Sequence, residues 1–273
     1  MGCLTTGCPD MEQVPAASQF DIAGRTITLP VHIRTARQWA TTWLVPAAAV
    51  QTMIDYSGLE VAQPLPGKAV FSLAFVDYVE GDLDAYHEVA FSVLVRPHDA
   101  ADPATAMEQA RAFGTGQVGA FIHDLPVDQE FTRAAGTTIW GYPKWIAEIE
   151  LTQMNGSTAC SVYCDGQHQF TLQVRDRGPF PFPAEMPPTY SWRDGVLRRT
   201  TWDLDVTGGS ARPGGARLTL GSSGPLVRTL RRLRLPRHAL MSATAPRLAS
   251  VFGAPEVISE SDAAAPEPTA TPA

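Results

Sequence analysis

Val70-Phe71-Ser72-Leu73-Ala74-Phe75-Val76-Asp77-Tyr78 and, after an acidic turn at residues 80–84, Tyr86-His87-Glu88-Val89-Ala90-Phe91-Ser92-Val93-Leu94-Val95 decide the fold class of this chain. Both stretches alternate with period two. Phe71, Leu73 and Phe75 share one face of the first. Val89, Phe91, Val93 and Val95 share one face of the second, which leaves Tyr86, Glu88, Ala90 and Ser92 on the other. Two half-buried strands joined by so short a turn pair antiparallel. Glu88 therefore stands on the more polar face of an otherwise apolar strand.

Working outward, Ile27, Leu29, Val31 and Ile33 alternate in the same way, and residues 118–123 read as a further strand. Three strand-like runs, 146–152, 157–164 and 168–175, are divided by Asn155-Gly156 and Asp165-Gly166, the punctuation of a meander. Strands are also expected around residues 201–206 and 216–220. Helices are expected at 35–45, at 47–54 after Pro46, at 104–113, and from an Asp128 cap to Ala135 with Gly136 as the stop. An Arg-rich helix at 226–234 reads as a solvated face. Residues 179–188 are a Pro-rich extended connection. Residues 1–17 are an N-terminal extension, 18–258 one domain, and 259–273, with nothing to bury, a disordered tail. The fold class is α+β and mostly antiparallel β, closed or nearly closed, with helices at the side.

The 273 residues carry 28 acidic against 21 basic groups, a net charge of −7 that would repel a phosphate backbone. Nucleic acid is excluded as the expected partner. No run approaches the roughly 18 apolar residues of a membrane helix, and no basic leader opens the chain, so a soluble cytoplasmic protein without a membrane partner is expected. Four cysteines in so long a chain do not make a disulfide scaffold. Cys3 and Cys8 lack a second ligand pair nearby, and no metal is expected.

Of the 21 basic residues 19 are Arg; only Lys68 and Lys144 are Lys. Lysine can lose its proton when desolvated and become a nucleophile, which arginine cannot. Lys68 follows Pro66-Gly67 in a turn and reads as solvated. Lys144 follows Gly141-Tyr142-Pro143 and lies among Trp140, Tyr142 and Trp145, so its amine is held on a stiffened backbone. The same local pattern also fits a surface lysine lying across aromatic rings. If the chain is extended here, Trp145 points away from Lys144 and helps by excluding water. His87 alternates away from Glu88 and reads as a core histidine. His123-Asp124 is an acid–base candidate that nothing places near Lys144.

Trp140-Gly141-Tyr142-Pro143-Lys144 resembles the active-site motif of the acetoacetate decarboxylase family, in which the lysine forms a Schiff base with a ketone. Glu130, fourteen residues before the lysine, and Tyr86-His87-Glu88, similar to the family's Tyr-x-Glu segment, agree with it. The resemblance spans about residues 18–258. It implies a cofactor-free lyase of small β-keto acids, with Lys144 as nucleophile, Glu88 as its polar partner, and Tyr86, Trp140, Tyr142, Phe71 and Leu73 around the substrate. It also implies a closed cone-like barrel or double sheet around an internal pocket, and a homo-oligomer. Trp145 stands where the family's decarboxylases have a second lysine, and Thr137-Thr138 where they have Arg-Glu. Their additional cavity glutamate falls at Phe71 or Leu73. Relatives without these groups look like aldolase-dehydratases or cyclase-dehydratases acting on 2-oxo acids through the same lysine. A non-catalytic small-molecule-binding barrel is the remaining alternative.

Overall fold

The computed structural model describes residues 18–100, 107, 108, 111, 117–182 and 186–260. In chain order the first strands are β1 (Gln19–Ile22), β2 (Arg25–Thr28), β3 (Val31–Pro46), β4 (Lys68–Gly81), β5 (Tyr86–Val95) and β6 (Gly119–Val127). Next come β7 (Lys144–Ile146), β8 (Glu148–Met154), β9 (Ser157–Cys164), β10 (Gln167–Arg175), β11 (Phe180–Pro181) and β12 (Thr189–Arg193). The last are β13 (Val196–Thr200), β14 (Trp202–Thr207), β15 (Ser210–Pro213), β16 (Ala216–Leu220), β17 (Met241–Phe252) and β18 (Glu256–Glu260). The helices are α1 (Ala47–Ile54), α2 (Glu130–Trp140) and α3 (Pro225–Arg232). Residues 1–17 and 261–273 lie outside the described residues, as does most of the helix expected at 104–113, although Met107, Glu108 and Arg111 are helical.

The large sheet runs β11-β15-β17-β3-β4-β5-β6-β12-β13-β18, with β14 added on β17 and β7 on β6. The meander β8-β9-β10 with β16 makes a second, four-stranded sheet, and β1-β2 is a hairpin. The α+β class and the antiparallel pairing of β4 with β5 are as expected. The closed barrel is not: the strand path ends at β11 and β18, and no pairing among the described residues joins them. What remains of that expectation is the double sheet, whose two layers meet in one core.

That core explains the alternation. Phe71, Leu73 and Phe75 of β4 and Val89, Phe91 and Val93 of β5 face Cys160 and Val162 of β9 and Phe170, Leu172 and Val174 of β10. Phe91 meets the rings of Phe71 and Phe170 edge-on. Burying each such side chain stabilises by about 1.5–3 kcal/mol. The opposite face of the large sheet packs with α2 and the first hairpin, through Ile22, Ile33, Val76, Tyr78, Ile139 and Trp140 among others. Cys160 and Cys164 are free. No helix among the described residues is long and apolar enough to cross a membrane.

Three local expectations are corrected. Residues 35–45 are not a helix but the middle of β3, which carries register shifts between Ile33 and Thr35 and between Thr35 and Ala36. Helix α2 is capped by Gln129, whose side chain accepts from the Thr132 N–H at 2.8 Å, and it runs through Gly136 to Gly141. Gly141 has φ 66°, a left-handed cap that suits glycine. At the far end, Ser259 and Glu260 are paired in β18, so the expected tail does not begin at 259.

Asp128 does not cap the helix because His87 occupies it. The His87 N–H and Nδ1 meet the Asp128 carboxylate at 2.7 and 2.6 Å, and His87 Nε2 lies 3.6 Å from Asp77, which Arg37 also holds. His87 is thus a half-exposed link between β4, β5 and the start of α2, not a core histidine. The Asp128 hydrogen bond, over the opposing effect of burial, raises the His87 pKa above its ordinary 6.5. Burial pushes Asp128 upward, but the bonds from His87 outweigh it and leave its pKa below the ordinary 3.8. The histidine's contribution to stability is full below pH 6.5 and is lost as pH rises through its raised folded value. The aspartate's is full above pH 3.8 and is lost as pH falls through its lowered one. Denaturant titrations should show the unfolding free energy falling as pH rises above about 6.5. His87→Gln should flatten that fall; an unchanged slope in the variant removes this link from the account.

Candidate active site

The lysine is placed by a crossover. β6 and β7 are parallel neighbours, with Leu125 opposite Lys144, and parallel neighbours need a connecting element, here α2. The helix ends at Gly141, the Tyr142 N–H donates back to the Gly136 carbonyl at 3.2 Å, and the Lys144 N–H donates to the Tyr142 carbonyl at 2.8 Å around Pro143. The chain is then extended, so Lys144 and Trp145 point to opposite sides of the sheet. Trp145 packs on the core between the sheets and its Nε1–H donates to the buried Asp124 carboxylate. Lys144 points into a cavity of about 150 Å³ on the other side.

In that cavity Lys144 Nζ lies 2.7 Å from Glu88 Oε2, with only 4% and 10% of the two side chains exposed. The Tyr78 hydroxyl donates to Glu88 Oε1 at 3.1 Å, and Nζ donates to Thr132 Oγ1 at 3.3 Å. The Tyr86 ring centroid is 5.0 Å from Nζ, and Tyr86 stacks on Tyr78 at 4.2 Å. Burial pushes the Tyr78 and Tyr86 hydroxyls well above 10, so both stay protonated donors. Burial likewise pushes Tyr142 up to about 12, and its hydroxyl is held by Thr189 Oγ1 at 2.7 Å.

Gly136 sits within α2, where glycine costs about 1 kcal/mol relative to alanine. The reason is the lysine: a Cβ there would stand 2.6 Å from Lys144 Cδ and Cε. Thr132 and Gly136, one turn apart, make the groove along which the lysine reaches the cavity.

Lys144, Glu88, Tyr86, Trp140 and Tyr142 all line the cavity. Phe71 and Leu73 do not; they face the core between the sheets, because the cavity side of β4 has the other parity, Ala74, Val76 and Tyr78. None of those three is acidic, so the additional glutamate is absent from this wall all the same. Glu130 pairs with Arg133 on the surface, and Lys68 is an exposed first residue of β4. His123 belongs to another buried cluster, where Tyr56 OH lies 3.2 Å from its Nδ1 and burial pushes its pKa down to about 4.

Sequence reasoning missed Tyr78, Thr132, Gly136 and the cavity-lining Gln38. Tyr78 was within reach, since it stands directly opposite Tyr86. A row of rings, Tyr142, Trp140, Phe252 and Trp202, forms one wall. Among the described residues, Lys144 and Glu88 are the only charged ones that line the cavity. Among the described residues no cluster of His, Cys, Asp and Glu is placed to hold a metal ion.

Comparisons with known proteins agree with this architecture. The crystal structure of acetoacetate decarboxylase from Legionella pneumophila superposes with a TM-score of 0.67 at 15% identity, covering 85% of this chain and 88% of that one. The enduracididine biosynthesis enzyme MppR, complexed with the condensation product of pyruvate and imidazole 4-carboxaldehyde, gives 0.63 at 13% identity over 84% and 88%. An acetoacetate decarboxylase-like enzyme from Sphingomonas wittichii RW1 gives 0.60 at 17% identity over 86% and 96%. These likenesses concern the fold. No curated protein matches the chain in sequence. The family model described as acetoacetate decarboxylase (ADC) matches residues 23–244, most of the chain and all of the lysine crossover, and the chain belongs to that family.

Proposed function

We propose that this protein is a Schiff-base-forming lyase that decarboxylates small β-keto acids, with Lys144 as the nucleophile and Glu88 as the proton carrier. The observation that supports it is the 2.7 Å contact of amine and carboxylate at the wall of an otherwise apolar cavity. Lys144 gives a proton to Glu88 and its free electron pair attacks the substrate ketone carbon. The carbinolamine takes a proton on its oxygen and loses water, leaving a protonated imine. The bond to the carboxylate then breaks, carbon dioxide departs, and the bonding pair moves toward nitrogen to give an enamine. Glu88, recharged with a proton from solvent, protonates the enamine carbon, and water hydrolyses the resulting protonated imine to release the ketone and the Lys144 ammonium. Tyr78 holds Glu88 in place through its other oxygen. The homo-oligomer implied by the family is part of the same proposal.

A second reading keeps the imine and runs an aldol condensation and dehydration on 2-oxo acids. It draws on the fold shared with MppR, whose structure holds a condensation product of pyruvate. The lining speaks against it here: a 2-oxo acid keeps its carboxylate through the reaction, and Lys144 is the only cation among the described residues of the wall.

Borohydride reduction with acetoacetate, followed by peptide mass analysis, should label Lys144, with release of carbon dioxide in the unreduced reaction. Lys144→Arg should fold and lose both, while Lys68→Arg should match the parent. A folded parent that traps no carbonyl compound is a binding protein and not this enzyme.

Glu88→Gln should lower turnover by about 10²–10⁴-fold, as loss of a positioned acid–base group does, while imine trapping persists. Equal turnover would remove Glu88 from the mechanism. Gly136→Ala should favour the helix by about 1 kcal/mol yet push the amine aside, and a displacement near 1 Å costs about 10²-fold. Thermal melts and trapping rates on the same sample separate the two effects. Trapping at the parental rate would show that the close approach does not position the lysine.

A further inference from the structure

One cavity residue has no role in the pair just described. Gln38 lines the cavity and is 6% exposed, and among the described residues its side-chain amide makes no hydrogen bond. An amide left facing an otherwise apolar cavity is placed for a ligand or a solvent molecule. Its position is specific. Gln38 of β3 is in register with Val76 of β4, and Val76 with Glu88 of β5. The three form one rung across the cavity wall, which puts the Gln38 and Glu88 backbones about 10 Å apart with their side chains on the same face. The other uncharged polar groups of the lining are engaged or remote: the Tyr78 hydroxyl is bonded to Glu88, and the Tyr86 hydroxyl is taken up by Thr132 and Tyr78. Thr189 is bonded to Tyr142 and Thr200, and Ser250 to the Asp203 carbonyl. Ser92 is four residues along β5 from Glu88, about 13 Å away.

We propose that Gln38 positions the substrate's carboxylate: its amide N–H donates to the carboxylate oxygens while the ketone carbon is bonded to Lys144. This rests on the imine chemistry above and assigns the carboxylate of the 3-oxo acid proposed there to a named residue. A neutral donor orients the carboxylate without supplying a counter-charge. Beside it on β4 stand Val76 and Ala74, which stabilise no anion. The charge is removed when the carbon–carbon bond breaks: the carboxylate leaves as neutral carbon dioxide and the electron pair neutralises the protonated imine. A fixed cation at this position would bind the ground state more tightly than the transition state and slow that step.

The test compares parent, Gln38→Leu and Gln38→Arg with two probes, acetoacetate and acetone, the second having no carboxylate. Gln38→Leu should reduce kcat/KM for acetoacetate about 10–100-fold and leave borohydride trapping of acetone within about twofold. Gln38→Arg should lower KM for acetoacetate and lower kcat as well, a split that a merely structural role would not produce. If Gln38→Leu weakens acetone trapping and acetoacetate turnover equally, or changes neither, Gln38 does not read the carboxylate, although the imine chemistry stands. If the parent traps neither probe, the imine reading fails first, and this inference with it.

Discussion

A lysine and a glutamate 2.7 Å apart and almost fully buried constrain everything around them. Taking each ion from water costs several kcal/mol, and mutual attraction offsets that only when the geometry is good and the remaining polar atoms are satisfied. The surroundings meet both conditions. Tyr78 takes the second carboxylate oxygen, Thr132 takes a proton of the ammonium, and the Tyr86 ring covers it. The glycine in α2 and the left-handed cap at Gly141 are backbone conditions for the same contact, one admitting the lysine's methylenes and the other turning the chain into β7. Removing either charge alone would leave the other buried without its counter-charge.

Much of the fold was legible because period-two alternation is strong wherever one face is buried. β4, β5 and the meander all show it, and α1 follows from Pro46. β3 was misread for a physical reason. Its backbone slips register on both sides of Thr35, so Val31 and Ile33 share a side with Ala36 and Gln38, while Trp39, Trp43 and Val45 take the other. Written as a sequence, such a strand places apolar residues three and four apart, which is the spacing of a helix. β12, β13, β15, β17 and β18 had weak alternation and depend on partners distant in the chain.

The site was legible in the residues whose chemistry is scarce and obscure in those whose role is spatial. Lys144 stood out as one of two lysines, and Glu88 as an acid on an apolar strand. Phe71 and Leu73 were set in the pocket by the resemblance, against their own parity, since the face they share with Phe75 is the one that meets the second sheet. Gly136 looked like a helix stop because its real partner, the Lys144 side chain, comes from the following strand. Gln38 lay inside the misread span, so no register could bring it opposite Val76 and Glu88.

Charge accounting inside the cavity links these details to chemistry. With the proton on Lys144 or on Glu88 the pair is neutral overall, so the proton can pass between them without changing the net buried charge. Imine formation keeps that balance, since a protonated imine replaces an ammonium. An incoming carboxylate breaks it by one negative charge, in a lining whose described residues offer no second cation. A reaction that retained the carboxylate would keep that charge through to product, whereas in the proposed decarboxylation the pair left by departing carbon dioxide cancels the charge of the protonated imine, and one proton taken up from solvent then restores neutrality. A wall whose described residues offer one cation, one anion and the Gln38 amide is the physical ground on which the proposed decarboxylation is preferred to a reaction that retains the carboxylate.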